Sequence, residues 1–173
     1  MKKITLPLTD EIIADLKVNE KVLLTGIIYT ARDMAHQRLI DCISNKLPLP
    51  FDLTNQIIYY AGPTQSAPNQ ITGSIGPTTS ARMDDYTIML LAAGLKGCIG
   101  KGKRSPEVLA ALKQHHAIYF VAVGGIGALL SKCVKKVEEI AYEDLGTESI
   151  KKLWVEDFPV FVGCDINGGY IYE

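Results

Sequence analysis

The chain has 173 residues, 47% of them apolar and 21% charged, with a formal net charge of -1. That size and composition suit one domain with its own core, read over residues 1–173, and exclude a disordered polypeptide. The near-neutral balance gives no electrostatic attraction for nucleic acid or an anionic membrane. No apolar run is long enough to span a bilayer, and Met1-Lys2-Lys3-Ile4-Thr5-Leu6-Pro7 lacks the apolar region of a signal peptide. The expected location is the cytoplasm.

In chain order, residues 1–20 form a leading segment in which Thr9-Asp10-Glu11 can open a short helix through Ile12, Ile13 and Leu16. Residues 21–30 are β-branched and apolar, the mark of a buried strand. After Arg32 and Asp33, Ala35, Leu39, Cys42 and Ile43 share one helical face, with Thr30 and Asp33 spaced as a capping pair and His36 read as a surface or supporting residue. Pro48 and Pro50 end that helix, residues 56–61 form a second strand, and a polar, exposed loop follows Gly62-Pro63. Residues 83–93 suit a helix ended by Gly94, and residues 95–99 a short strand. Ser105-Pro106-Glu107 then opens a helix to about His115, with a serine cap, a first-position proline and an acid in the first turn. Residues 117–123 are the clearest buried strand; Gly124-Gly125-Ile126-Gly127 and a short apolar helix follow, and Lys132, Lys135 and Lys136 read as a solvated face. Residues 137–142 suit a strand, 143–152 include a short helix, and 154–156 and 159–162 are strands. Asp165-Ile166-Asn167-Gly168-Gly169 is a hairpin turn before a closing strand at 170–172.

Cys42, Cys98, Cys133 and Cys164 are widely spaced with no Cys-x-x-Cys pair, so they read as structural free thiols rather than metal or cluster ligands. Gly100-Lys101-Gly102 has the character of an anion loop without Walker spacing, and the glycines from Gly124 to Gly127 miss the dinucleotide fingerprint, so nucleotide binding is a weak reading.

The informative residues lie at three strand-to-helix junctions. One carries Arg32. The second is Gly73-Ser74-Ile75-Gly76-Pro77-Thr78-Thr79-Ser80-Ala81-Arg82, with three successive hydroxyls as N-cap candidates and an arginine that suits a helix N-terminus only beside something negative. The third carries Lys101. In an α/β sheet of the doubly wound kind, such loops gather at strand C-termini. Three cations and a hydroxyl there suit a small substrate with two carboxylates, since arginine grips a carboxylate through two parallel bonds. No acid–base pair, nucleophilic triad or metal set accompanies them, which suggests half an active site.

Tyr29-Thr30-Ala31-Arg32-Asp33-Met34-Ala35-His36, the run from Gly73 to Asp84, Gly100-Lys101-Gly102-Lys103-Arg104 and Val155-Glu156-Asp157-Phe158-Pro159 resemble the C-terminal domain, or separate β subunit, of class I fumarases and L-tartrate dehydratases. The resemblance implies an α/β fold of the swivelling β/β/α type and a hydro-lyase: reversible hydration of fumarate to L-malate, or dehydration of tartrate. It implies a four-iron four-sulfur cluster ligated by a partner α subunit, a hetero-oligomer and a small dicarboxylate substrate. It assigns Arg32, Arg82 and Lys101 to the carboxylates, Thr78 with Lys101 to catalysis, and Asp33 and His36 to support. A nearby cation favours the Thr78 alkoxide needed to take the C3 proton. The rival from another class is a non-catalytic anion-binding module on the same loops.

Overall fold

The computed structural model describes residues 1–123 and 125–173. Its elements run β1 (Lys2–Thr5), α1 (Asp10–Ala14), β2 (Lys21–Thr30), α2 (Asp33–Ser44), β3 (Ile57–Tyr59), α3 (Asp84–Ala92), β4 (Gly97–Gly100), α4 (Pro106–Gln114), β5 (Ile118–Val121), α5 (Gly127–Ser131), β6 (Val134–Ala141) and β7 (Ile150–Cys164), with 3-10 turns at Ser80–Met83 and Glu143–Glu148. Among the described residues no helix is long and apolar enough to cross a membrane.

Strands β2 to β5 pair in parallel, in order. The long β7 runs antiparallel to both β5 and β2 and so closes the sheet on itself. β1 extends one edge beside residues 22–25 of β2, and β6 pairs with the first part of β7. Because strand side chains alternate, the closed ring separates two cores. Val22, Leu24, Ile57, Tyr59, Ile118, Phe120 and Val160 fill the inside. Ile58, Tyr60, Cys98 and Tyr119 face outward, where Ala35 and Leu39 of α2, Leu90 and Leu91 of α3 and Val108 and Leu112 of α4 cover them. The doubly wound expectation is corrected: α2, α3 and α4 cover the outer face, while the inner face closes on itself, joined by Ile13 of α1 and Leu130 of α5. The mixed α/β architecture with a closed sheet agrees with the swivelling type.

The starts of α1 and α4 follow the sequence rules, with Thr9 Oγ1 accepting from Ile12 N and Ser105 Oγ from Val108 N. Elsewhere the phase of the pattern misleads. Residues 154–156 and 159–162 belong to one strand, in which Leu153 and Val155 face inward and then Phe158, Val160 and Val162 do. The switch of parity falls at Asp157, whose φ is 50°, as an extra residue in a bulge requires. The helix expected within 143–152 is only the 3-10 turn, and Ile150 already lies in β7. The closing strand reduces to one bridge between Cys164 and Tyr170. The turn before it is built on Asp165, whose Oδ1 accepts from Asn167 N and Gly169 N, and it is Gly168 rather than Asn167 that takes the positive φ.

Candidate functional site

The parallel strands β2, β3 and β4 end at Thr30, Tyr59 and Gly100 on one rim of the ring. The expected site residues leave from that rim. Arg32 is the N-cap residue of α2 and makes no capping bond with its side chain. The Thr30–Asp33 capping pair does not form. Thr30 Oγ1 instead accepts from Lys151 N at 3.3 Å. Asp33 turns to Arg82, taking Nε at 3.2 Å and Nη2 at 2.6 Å. The negative partner that an arginine at this helix end requires is therefore this chain's own carboxylate. The stem of Arg32 lies against Gly62. A Cβ there would stand 3.0 Å from Arg32 Cδ and 2.8 Å from Thr147 O, so only glycine lets the two segments meet. Arg32 Nε is buried with no hydrogen-bond partner among the described residues.

The three hydroxyls do not cap the helix. Neither Thr79, which precedes the 3-10 turn, nor Met83, which precedes α3, makes a side-chain capping bond. The segment is tied to its neighbours instead. Thr78 N donates to Tyr60 O at 2.6 Å, Ser80 N donates to Lys101 O at 2.9 Å, and Thr79 bridges Lys101. Thr78 is half-buried, while Lys101 is exposed. Ser80 Oγ lies 2.8 Å from the Tyr119 hydroxyl, which donates to Gly102 O at 2.8 Å. Gly100 makes this approach possible, because a Cβ there would strike Ser80 Oγ and stand 2.7 Å from Tyr60 Cδ2.

Behind the rim lies a charged group that the sequence reading passed over. Arg104 is 5% exposed. Its Nε donates to Asp84 Oδ1 at 2.7 Å and its Nη2 to Thr87 Oγ1 at 2.8 Å. Its guanidinium lies 4.9 Å from the centre of the Tyr119 ring and 5.2 Å from that of Tyr60. Asp84 Oδ2 also accepts from Ser105 N at 2.8 Å, joining the start of α3 to the start of α4. One signal was available: a tyrosine within a buried apolar strand must find a partner for its hydroxyl, and Tyr59, Tyr60 and Tyr119 all sit in such strands. Burial raises all three phenols well above their ordinary range, so they stay protonated.

His36 is fully buried, which corrects the surface reading. Its Nδ1 lies 2.8 Å from Arg32 O. A carbonyl only accepts, so the neutral ring carries its proton on Nδ1 and leaves Nε2 bare. Nε2 finds no partner among the described residues. Burial pushes the His36 pKa down to about 4. The ring holds the Arg32 carbonyl from within and does not reach the surface.

Arg32, Thr78, Arg82 and Lys101 are thus brought to one rim, with Asp33 directly on Arg82 and His36 beneath Arg32. An open cleft of about 410 Å³ is lined by Pro63, Thr64, Thr147 and Lys151 among others, but none of Arg32, Thr78, Arg82 and Lys101 lines it. At the rim Arg82 and Lys101 are exposed, and Arg32 and Thr78 are half-buried. The four cysteines are free thiols, Cys98 and Cys164 buried. Among the described residues no three Cys, His, Asp or Glu side chains group as a metal set, so these residues do not fit an iron–sulfur cluster. Of the glycines read for nucleotide binding, Gly124 lies outside the described residues. Gly127 packs backbone to backbone on Gly76, with Ile75 N donating to Gly127 O at 3.2 Å, which is close packing rather than a phosphate cradle.

The family model described as Fumarase C-terminus matches residues 1–173. The chain is 40% identical over 172 residues to a protein of Methanocaldococcus jannaschii named putative L(+)-tartrate dehydratase subunit beta, covering 96% of this chain and 88% of that one. It is 38% identical over 168 residues to the aerobic class I fumarate hydratase of Escherichia coli, covering 94% of this chain but 31% of that protein. It is 38% identical over 158 residues to fumarate hydratase 2 of Leishmania major, covering 90% of this chain and 28% of that protein. The chain therefore spans under a third of the two fumarate hydratases and most of the separate β subunit. With the match running over its whole length, the chain belongs to the Fumarase C-terminus family.

Proposed function

We propose that this chain is the β subunit of an iron–sulfur hydro-lyase that reversibly hydrates fumarate to L-malate. The observation that carries the reading is the rim itself: Arg32 and Lys101 follow the ends of β2 and β4, and the segment of Thr78 and Arg82 is tied to them through Tyr60, Lys101 and Asp33. In the dehydrating direction a proton leaves the carbon next to a carboxylate and hydroxide leaves the neighbouring carbon. Charge then develops toward that carboxylate, where fixed cations stabilise it most. Arg32, Arg82 and Lys101 hold the two carboxylates, and Thr78 takes the C3 proton. Asp33 occupies the Nε and Nη2 donors of Arg82, leaving Nη1 for substrate. A four-iron four-sulfur cluster would supply the Lewis acid for hydroxide departure. That cluster belongs to a partner α subunit, in keeping with the unfit cysteines here and with relatives much longer than this chain.

The test is to assay this chain anaerobically, alone and with a cluster-bearing partner, on fumarate and on L-tartrate. Malate formation only in the complex is the expected result. In that complex Arg82→Ala removes a charged contact to substrate and costs about 2–5 kcal/mol of transition-state binding, and Thr78→Ala abolishes turnover while leaving dicarboxylate binding. Turnover by the chain alone, or full activity of either variant, refutes the assignment. A second reading, the tartrate dehydratase β subunit, is favoured by the coverage of the Methanocaldococcus jannaschii protein; oxaloacetate from tartrate, without malate from fumarate, would establish it.

A further inference from the structure

Tyr119 stands in the middle of β5, fully buried, between Ile118 and Phe120, which face the inside of the ring. A buried phenol needs one hydrogen-bond partner. This one has two, on two different loops. Gly102 O can only accept, so the Tyr119 proton goes there, at 2.8 Å. The Ser80 hydroxyl, also 2.8 Å away, must then be the donor to the phenol oxygen. The bonds run in one direction, from Ser80 through Tyr119 to Gly102. Ser80 closes the segment that begins with Thr78, and Gly102 follows Lys101. Gly102 N meanwhile donates to Tyr172 OH at 3.1 Å, and the Arg104 guanidinium covers the Tyr119 ring.

We propose that Tyr119 is a positioning residue: its hydroxyl sets the spacing between the Thr78 segment and the Lys101 loop, so that the base and a carboxylate-binding cation meet one substrate. The proposal rests on the hydro-lyase reading. Ser80 N to Lys101 O and the Arg104–Asp84 pair keep the two loops attached without the phenol, so its loss loosens their spacing without unfolding the chain.

Tyr119→Phe keeps the ring and deletes the link. In the complex with the cluster-bearing partner, kcat falls about 10- to 100-fold while KM stays within about 3-fold, because misplacement penalises the reacting geometry more than ground-state binding. Ser80→Ala cuts the same chain at its first donor, and the double variant falls no further than Tyr119→Phe alone. Unchanged kcat, losses that multiply in the double variant, or a loss that only follows the unfolded fraction would each overturn the proposal. A wild-type complex inactive on both acids would instead overturn the hydro-lyase reading. Amide hydrogen exchange on the chain alone then decides the clamp: Tyr119→Phe speeds exchange in both segments together, and unaltered exchange in either one refutes it.

Discussion

His36 gives the chain a pH-dependent stability whose sign and size follow from its surroundings. The ring is fully buried between Tyr60 and Tyr86, with centroids 5.4 and 5.8 Å away. Burial opposes its charged form most; the bond to Arg32 O pulls the other way, Arg104 adds a smaller push with burial, and the Asp33 carboxylate a smaller pull against it. The result is a folded-state pKa of about 4 against an ordinary 6.5. As pH falls, the unfolded chain takes the proton first. The contribution is therefore complete above the ordinary value, declines from there, and is lost once the pH passes below the folded value. The gap is worth about 3 kcal/mol in full, and most of it is already gone at about pH 4.5. His36→Asn places an amide N–H where Nδ1 stands, keeps a donor for Arg32 O and cannot titrate. Urea unfolding of both chains at about pH 7 and about pH 4.5 isolates the effect from the carboxylates they share. The variant is less stable at the higher pH because the ring is lost, and its further loss on acidification is about 2 kcal/mol smaller than that of the wild type. Parallel losses in the two chains would mean that His36 is solvated or charged in the folded state, and the argument would fall.

Two further outcomes test the scaffold. Arg104→Met strands the Asp84 carboxylate behind the rim. It should cost about 3–5 kcal/mol by urea unfolding, much of it recovered by adding Asp84→Leu, because an unpaired buried charge is worse than an apolar pair; a loss under about 1 kcal/mol would show that water reaches the site. Gly100→Ala drives a methyl into Ser80 Oγ and toward Tyr60 Cδ2; it should cost about 1–3 kcal/mol and activity with it, and an unaltered Tm would refute the close approach.

How much of this was legible beforehand varied with the kind of signal. Short-range chemistry read well: Thr9 and Ser105 cap their helices as expected, and Gly94, with a φ of 111°, follows the end of α3. The candidate residues were found through their junctions, and the structure brings them to one rim. What failed depends on distant partners. Thr30 and Asp33 have capping spacing, but Lys151 and Arg82 compete for their oxygens and win. β7 was split because a bulge at Asp157 reverses the alternation that marks a strand. β1 was missed because only Ile4 of its residues is buried, so it carries no apolar run; it exists because β2 offers it an edge. Ring closure was invisible for the same reason, since local alternation is the same whether a strand pairs on one edge or two.

The Asp33–Arg82 contact bears on how the rim works. Arg82 is 51% exposed and Asp33 29% in their side chains, and ion pairs so open to water stabilise a fold by about 1 kcal/mol at most. Asp33 is therefore too weak a partner to lock the guanidinium away from a substrate. Its two bonds are directional all the same, and a fork held on its Nε and Nη2 side presents Nη1 outward with less freedom than a bare surface arginine. Covering the rim changes the balance, because excluding water strengthens every interaction at that surface. The same geometry is then a loose, oriented cation in the free chain and a firm one in a closed site. On the proposed reading, a partner that covers this face would give the rim its binding strength.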